Sequence, residues 1–377
     1  MANYKKWNFI ILGSVLGLMV TVGLFNMFID PYGVWYSPKL SGVNEHKSEK
    51  YTHQRIFRAL DLERLKPKVI FLGSSRAFFG LDPKYYQTLT GKNAYNVGLN
   101  ATNTTEELAY LEHAIYNQPD LQEVVISLDF YGFNAYNEGR TDFSADRLNK
   151  SHITLDDTLN TLLSWDACKA SWDTLSYNRA HPDKPLVEEN GLLTDEGIKR
   201  SHVLNLTTKE TFDRELSTYL YSKQFFGDYK LTMDNYRKII RVCQERNIKV
   251  TAFISPAHAT LWEAIKIAGL WSVFEEWKQE VSALTPVWDF SGYNEITTEP
   301  IHQTMENYWD SSHYKKAVGN LVLERLFNPN PIQVPADFGI LITPDNIPAH
   351  LAKIRQDQAV WEEKNPEVVN YVGRLKP

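Results

Sequence analysis

The chain has 377 residues, of which 43% are hydrophobic and 23% charged, and a formal charge of −6. Its length exceeds one average domain yet fits a single α/β domain with insertions. A globular composition with no basic surplus argues against a nucleic-acid partner.

The first predicted element is a membrane anchor. Trp7 to Phe28 holds no charged residue and is about 22 residues long, enough for a hydrocarbon core of ~30 Å. Lys5 and Lys6 precede the run and Asp30 follows it. The positive-inside rule then puts the N-terminus in the cytoplasm and the remainder outside, a single-pass type II protein of the inner (cytoplasmic) membrane with a periplasmic or otherwise extracytoplasmic domain. The apolar run exceeds the h-region of a cleaved signal, and Phe25-Asn26-Met27-Phe28 has no small-x-small site. Asp30-Pro31-Tyr32-Gly33-Val34-Trp35 follows as an interfacial hinge of turn residues and aromatics.

Beyond residue 65, apolar strand-like runs alternate with helical periodicity. The runs are Val69 to Gly73, Ala94 to Val97, Val124 to Leu128, Val250 to Ile254 and Val287 to Asp289. This alternation predicts a parallel sheet flanked by helices. Thr104-Thr105-Glu106-Glu107 opens a helix with a hydroxyl cap candidate, acidic residues in its first turn, and Leu108, Leu111 and Ile115 on its apolar face. Residues 130–231 interrupt the pattern before a helix near Thr232, and they are too many for a simple connection. This insertion, with Trp165, Trp172 and several tyrosines, is either a substrate-binding cap or a peripheral helical excursion. The expected organisation is residues 1–29 for the cytoplasmic tail and anchor, 30–65 for a linker and entry segment, 66–327 for the main domain, and 328–377 for a C-terminal arm. The arm carries a helix from about Asp345 to Trp361.

The chemistry concentrates at two places. Val69-Ile70-Phe71-Leu72-Gly73-Ser74-Ser75-Arg76 reads as a buried strand that ends in small residues, which puts Ser75 at a carboxyl end, where open α/β sheets hold their sites. Tyr308-Trp309-Asp310-Ser311-Ser312-His313-Tyr314 supplies a carboxylate and an imidazole three residues apart, before a helix from Lys315 to Phe327. Serine needs a positioned base, and the base needs a group to hold its tautomer, so Ser75, His313 and Asp310 form a candidate triad. Taken alone, Asp310 also suits a helix N-cap and Gly-Ser-Ser a tight turn. The joint occurrence at the same end of a parallel sheet favours catalysis.

With these two blocks the chain resembles the SGNH (GDSL-like) hydrolase superfamily, in a membrane-anchored bacterial branch with Gly-Ser-Ser-Arg for Gly-Asp-Ser, over about residues 66–327. The resemblance implies a three-layer α/β/α, flavodoxin-like sheet domain, here with an N-terminal transmembrane helix and an inserted cap region. It assigns Ser75 as nucleophile and Asp310 and His313 as its relay. It also assigns Gly98, in Tyr95-Asn96-Val97-Gly98-Leu99-Asn100, as a backbone donor to an oxyanion hole shared with the Ser75 N–H. The family's third block should supply an asparagine, but Ser127-Leu128-Asp129-Phe130 puts a carboxylate there. Either Asn100 or Asn103 replaces that donor, or Asp129 orients Arg76 or a sugar hydroxyl.

Further candidates are less specific. Arg76 either holds an anionic substrate group or pairs with a nearby carboxylate. His258 is a rim contact or a plain loop histidine, and Asp289 a turn former or rim residue. His258, His302 and His313 lack short metal-ligand spacing, so no metal site and no cofactor are expected. Cys168 and Cys243 have no CxxC spacing and are either one bridge or two free thiols. The resemblance implies a serine O-acyltransferase or acylesterase acting on acyl groups of an envelope polysaccharide, working beside a multi-spanning membrane acyltransferase. The other class in view is a non-catalytic SGNH-like subunit that binds glycan or scaffolds such an assembly.

Overall fold

The computed structural model describes residues 2–203, 205–221 and 228–375. Six strands form one sheet: β1 (Val69–Gly73), β2 (Tyr95–Asn96), β3 (Glu123–Leu128), β4 (Lys249–Ile254), β5 (Val287–Asp289) and β6 (Ile340–Ile342). Their order is β2-β1-β3-β4-β5-β6; the first five are parallel and β6 runs antiparallel to β5. The five predicted runs are thus the five parallel strands. β6 comes from the C-terminal arm and lacked a sequence signal, because three residues are too few to show a period.

Side-chain alternation explains the layers. Ile70, Leu72, Val124, Ile126, Ala252 and Ile254 join one buried cluster, whereas Val69, Phe71, Val125 and Phe253 join another. Successive strand residues point to opposite faces, so runs that are apolar throughout require helices on both. Helices Gln54–Leu65, Thr104–Asn117 and Lys230–Glu245 cover the first face; Pro83–Thr90 and Lys316–Phe327 cover the second.

Several boundaries differ from the sequence expectation. The segment after the anchor is not a hinge: Asp30 and Val34 are buried, and Asp30 Oδ1 accepts the Val34 and Trp35 amides at 2.7 and 3.0 Å. Residues 54–65 belong to the sheet domain, where the fully buried Arg58 guanidinium lies over the Phe57, Phe78 and Tyr95 rings. Asn103, rather than a threonine, caps Thr104–Asn117 by accepting the Glu106 amide at 3.0 Å. On that helix Leu111 and Ile115 are buried, and Leu108 partly so. Both cysteines are free.

The predicted anchor lies in a helix, Ala2–Ile29, whose Tyr4–Ile29 stretch is long and apolar enough to cross a membrane. The insertion splits into two parts. Leu155–Leu162 and Trp165–Ala180 pack on the anchor, whereas Asp195–Ser201 and Thr208–Tyr221 carry groups to the carboxyl ends of the strands.

Candidate active site

The order of the sheet reverses between β1 and β3, and at such a switch point the connections leave a crevice at the strands' carboxyl ends. β1 ends there at Gly73, whose φ is +147° and where a Cβ would stand 2.7 Å from Ser127 Cβ. Glycine lets the chain pass β3 closely and turn outward. Ser74 then caps helix Ser75–Gly80 by accepting the Arg76 amide at 3.2 Å, which leaves Ser75 at the first helical position.

Ser75 Oγ lies 2.7 Å from His313 Nε2, and His313 Nδ1 lies 2.8 Å from Asp310 Oδ2. Asp310 Oδ1 accepts the backbone amides of Ser312 and His313 at 2.6 and 2.8 Å, so the carboxylate is fixed by its own loop. The imidazole stacks on Phe79 with centroids 4.7 Å apart. The structure therefore brings the three predicted triad residues within hydrogen-bond distance, with Nδ1–H directed to Asp310 and Nε2 left to accept from Ser75.

The insertion adds two groups that sequence reasoning missed. His202, at the end of Asp195–Ser201, hydrogen-bonds Asp310 Oδ2. Glu215, on Thr208–Tyr221, has Oε1 4.0 Å from His313 Nδ1. Neither stands in a motif; the only signal was the excess length of the insertion. Burial opposes ionisation of Asp310, but His313 and His202 hold its carboxyl well below the usual range. Burial, reinforced by the Asp310 charge, pushes Glu215 the other way. Burial disfavours the imidazolium of His313, yet Asp310 and then Glu215 outweigh it and raise its pKa.

His202, Glu215, Asp310 and His313 have potential ligand atoms within 4.8 Å of one another. The 2.8 Å contact of Asp310 Oδ2 with His313 Nδ1 is a hydrogen bond. Ligand atoms around a tetrahedral ion with bonds of ~2.0–2.1 Å stand about 3.3 Å apart, so an ion would have to separate Asp310 Oδ2 from His313 Nδ1 and draw Glu215 Oε1 in from 4.0 Å. As placed, Asp310 is hydrogen-bonded to both histidines, with the Glu215 carboxyl beside them at 4.0 Å from His313 Nδ1.

Four further candidates are engaged within the fold. The Gly98 amide donates to Asn96 Oδ1 at 2.8 Å and is not free for an oxyanion. Arg76 spends its guanidinium on Asp129 at 2.6 Å, Ser312 at 3.1 Å and Tyr219 at 3.3 Å, which makes it a structural partner and not a substrate clamp. Burial works against its charge, but Asp129 more than compensates and raises its pKa. Asn103 uses both ends of its side chain, on the Glu106 amide and the Asn137 carbonyl, and does not line the cavity. His258 is buried; it caps Ala259–Ile267, contacts the Glu299 carbonyl through Nε2 at 2.6 Å, and is lowered to about 4 by burial. Its backbone amide donates to Ser311 at 3.0 Å, so it supports the Asp310–His313 loop from behind.

Asp129 takes the first of its two alternatives: it orients Arg76 and also accepts from the Ser74 hydroxyl. Asn100 does reach the site. The residue lines the cavity with Ser75, and its buried carboxamide oxygen has no hydrogen-bond partner among the described residues. Asp289 is the turn former of its two readings and not a rim residue: Oδ1 accepts the Ser291 amide at 2.9 Å, while Oδ2 lies buried between Lys278 and His350, each 2.8 Å away, and ties the arm to β5. The cavity at Ser75 measures about 290 Å³ and is walled also by Arg140, Glu215, Tyr219 and His313. A larger hollow of about 600 Å³ beside Ile301 and Tyr371 holds none of these groups.

No family model matches the chain, and no curated protein matches it. Among solved structures, a protein from Streptococcus pneumonia named for platelet activating factor is similar over 74% of this chain and 94% of its own, at 11% identity and a TM-score of 0.31. A likeness of that size leaves the chemistry to be argued from the site itself.

Proposed function

We propose that the chain is a membrane-anchored, extracytoplasmic serine acyltransferase or acylesterase with an SGNH-like domain, acting on short O-acyl groups of an envelope polysaccharide. The observation that carries this reading is the hydrogen-bonded series Ser75, His313 and Asp310. Ser75 Oγ attacks the acyl carbonyl while His313 Nε2 takes its proton, and Asp310 holds the imidazole and offsets its positive charge. The proton then passes from Nε2 to the leaving oxygen, and an acyl-Ser75 ester remains. A sugar hydroxyl or water, deprotonated by the same nitrogen, completes transfer or hydrolysis. The Nδ2 amide of Asn100 and the Ser75 N–H, an amide that the first helical position leaves without an intrahelical acceptor, supply the donors for the developing oxyanion.

The cavity of about 290 Å³ falls just below the ~300–1,000 Å³ of ligand pockets, which favours a short acyl group. The envelope substrate and a multi-spanning acyltransferase partner rest on the family resemblance and on the apolar helix at Tyr4–Ile29. One observation favours the second reading, a non-catalytic glycan-binding or scaffold subunit: the Gly98 amide that the family uses for its oxyanion is occupied by Asn96.

Full-length protein treated with an activated acetyl ester and followed by intact mass separates the two. Catalysis requires one acetyl adduct that maps to Ser75 and is lost in Ser75→Ala. A folded wild type that gives neither adduct nor serine-dependent turnover supports the binding subunit.

A further inference from the structure

Trp165 and Trp172, which the sequence offered as groups of a substrate cap, do not line the Ser75 cavity. They lie on the second helix of a hairpin made by Leu155–Leu162 and Trp165–Ala180. Each helix begins with a built cap. Thr154 and Asp157 form a capping box, and Ser164 accepts the Ala167 amide at 2.9 Å. Two such caps in ten residues fix a tight hairpin and not an irregular excursion.

The hairpin packs on the final turns of the anchor. Gly23, Asn26 and Ile29 form the buried stripe of an otherwise exposed helix. Asn26 Nδ2 donates to the Leu162 carbonyl at 2.9 Å, and Trp35 Nε1 to Thr161 Oγ1 at 3.0 Å. A Cβ on Gly23 would stand 3.4 Å from Leu163 Cδ2. Phe28 is five positions beyond Gly23, about 7.5 Å along the axis, so Leu163 sits about that far inside the end of the apolar run. Helices lying in a membrane interface reach ~5–10 Å below it.

The outward side of the hairpin has the matching composition. Leu155, Leu159 and Leu163, spaced by four, are 72%, 46% and 38% exposed; Trp165 and Trp172 are 83% and 63% exposed. Lys169 lies on the same helical stripe between the tryptophans and is exposed. Asp156, Asp166 and Asp173 each follow one of these apolar residues, about 100° round the helix, which gives a polar side beside an apolar one. Tryptophan is favoured at the headgroup layer, and a lysine stem runs along apolar surface to reach lipid phosphates.

We propose that the hairpin 155–180 is a second membrane contact, an interfacial element that lies in the lipid headgroup layer beside the anchor and sets the height and tilt of the domain. This rests on reading Tyr4–Ile29 as a membrane span. Direct packing selects lipid as the occupant, because a bilayer that takes the anchor to Phe28 must meet Leu163 and its neighbours. A single helix would leave the domain free to swivel; a span and a flanking interfacial hairpin define a plane.

The test places benzoylphenylalanine singly at positions 25, 165, 172 and 332 of the full-length protein in phosphatidylethanolamine/phosphatidylglycerol nanodiscs, with adducts read by mass spectrometry after illumination. Position 25 reports the anchor and position 332, where Ile332 is 93% exposed in the C-terminal arm, reports random collision. Lipid adducts at 165 and 172 comparable in yield with position 25, and at least ~10-fold above position 332, support the proposal. Adducts at 25 with none at 165 and 172 overturn it while keeping the anchor. Cross-links from 165 or 172 to a second copy or another protein overturn it in favour of a protein partner. Absence of lipid at position 25 overturns the anchor reading and the proposal together.

Discussion

His202 hydrogen-bonds Asp310 Oδ2, the same oxygen that lies 2.8 Å from His313 Nδ1. One carboxylate oxygen is thus shared between a histidine of the relay and a histidine of the insertion. His202 does not reach Ser75, so it acts by positioning Asp310. His202→Phe is expected to slow acylation of Ser75 by about 10-fold, against about 10⁴-fold for Asp310→Asn, because in the first variant the Ser312 and His313 amides still hold Oδ1. A pH–rate profile checks this: the acid limb set by His313 should stay in place in His202→Phe, where Asp310 keeps its charge, and move in Asp310→Asn. Equal losses for the two variants would make His202 part of the relay proper.

The oxyanion donors are separable by substitution. Asn100→Ala is expected to lower kcat by about 10²–10³ with little change in thermal midpoint, as for loss of one preorganised donor. Gly98→Ala is expected to act on folding, because a Cβ there would lie 2.5 Å from the Phe78 amide nitrogen and 2.9 Å from Asn96 Oδ1. Measuring both rate and thermal midpoint for the pair decides the assignment. An Asn100→Ala enzyme of unchanged kcat would exclude this carboxamide.

The raised pKa of His313 sets the sign of the pH dependence. Burial disfavours the imidazolium, but Asp310 and Glu215 favour it more strongly. The neutral base is therefore lost, as pH falls, at a higher pH than the ordinary 6.5 of histidine. Acylation should rise through a limb above 6.5, and Asp310→Asn should move that limb downward. The same shift contributes folding stability that is fully present below pH 6.5 and is lost as pH rises through the folded pKa. Stopped-flow acylation across pH 5 to 9 reads the limb, and an apparent pKa below 6.5 in the wild type would contradict the arrangement.

Asp129→Asn restores the residue type expected in the family's third block, yet it should harm this protein. Asp129 and Arg76 are both buried, and Arg76 would keep its charge with no carboxylate at 2.6 Å. Breaking one side of a buried pair costs about 3–5 kcal/mol. Chemical denaturation of Asp129→Asn should show a loss of that order. Arg76→Met with Asp129→Leu should recover part of it, because no unpaired charge remains.

The sequence by itself determined the five parallel strands, the apolar helix at the N-terminus, and the two short blocks that hold Ser75, Asp310 and His313. Strand period, apolar length and a three-residue spacing are local quantities, fixed by residues a few positions apart. Only the tertiary structure decided how each polar group is spent. Asn96 takes the Gly98 amide, Asp129 takes Arg76, and His202 reaches Asp310 across 108 positions of the chain. Those allocations depend on which donors and acceptors packing brings together without water, and burial favours a partner for each such group. A charge, a histidine or a tryptophan in a long insertion carries no mark of where that packing will put it.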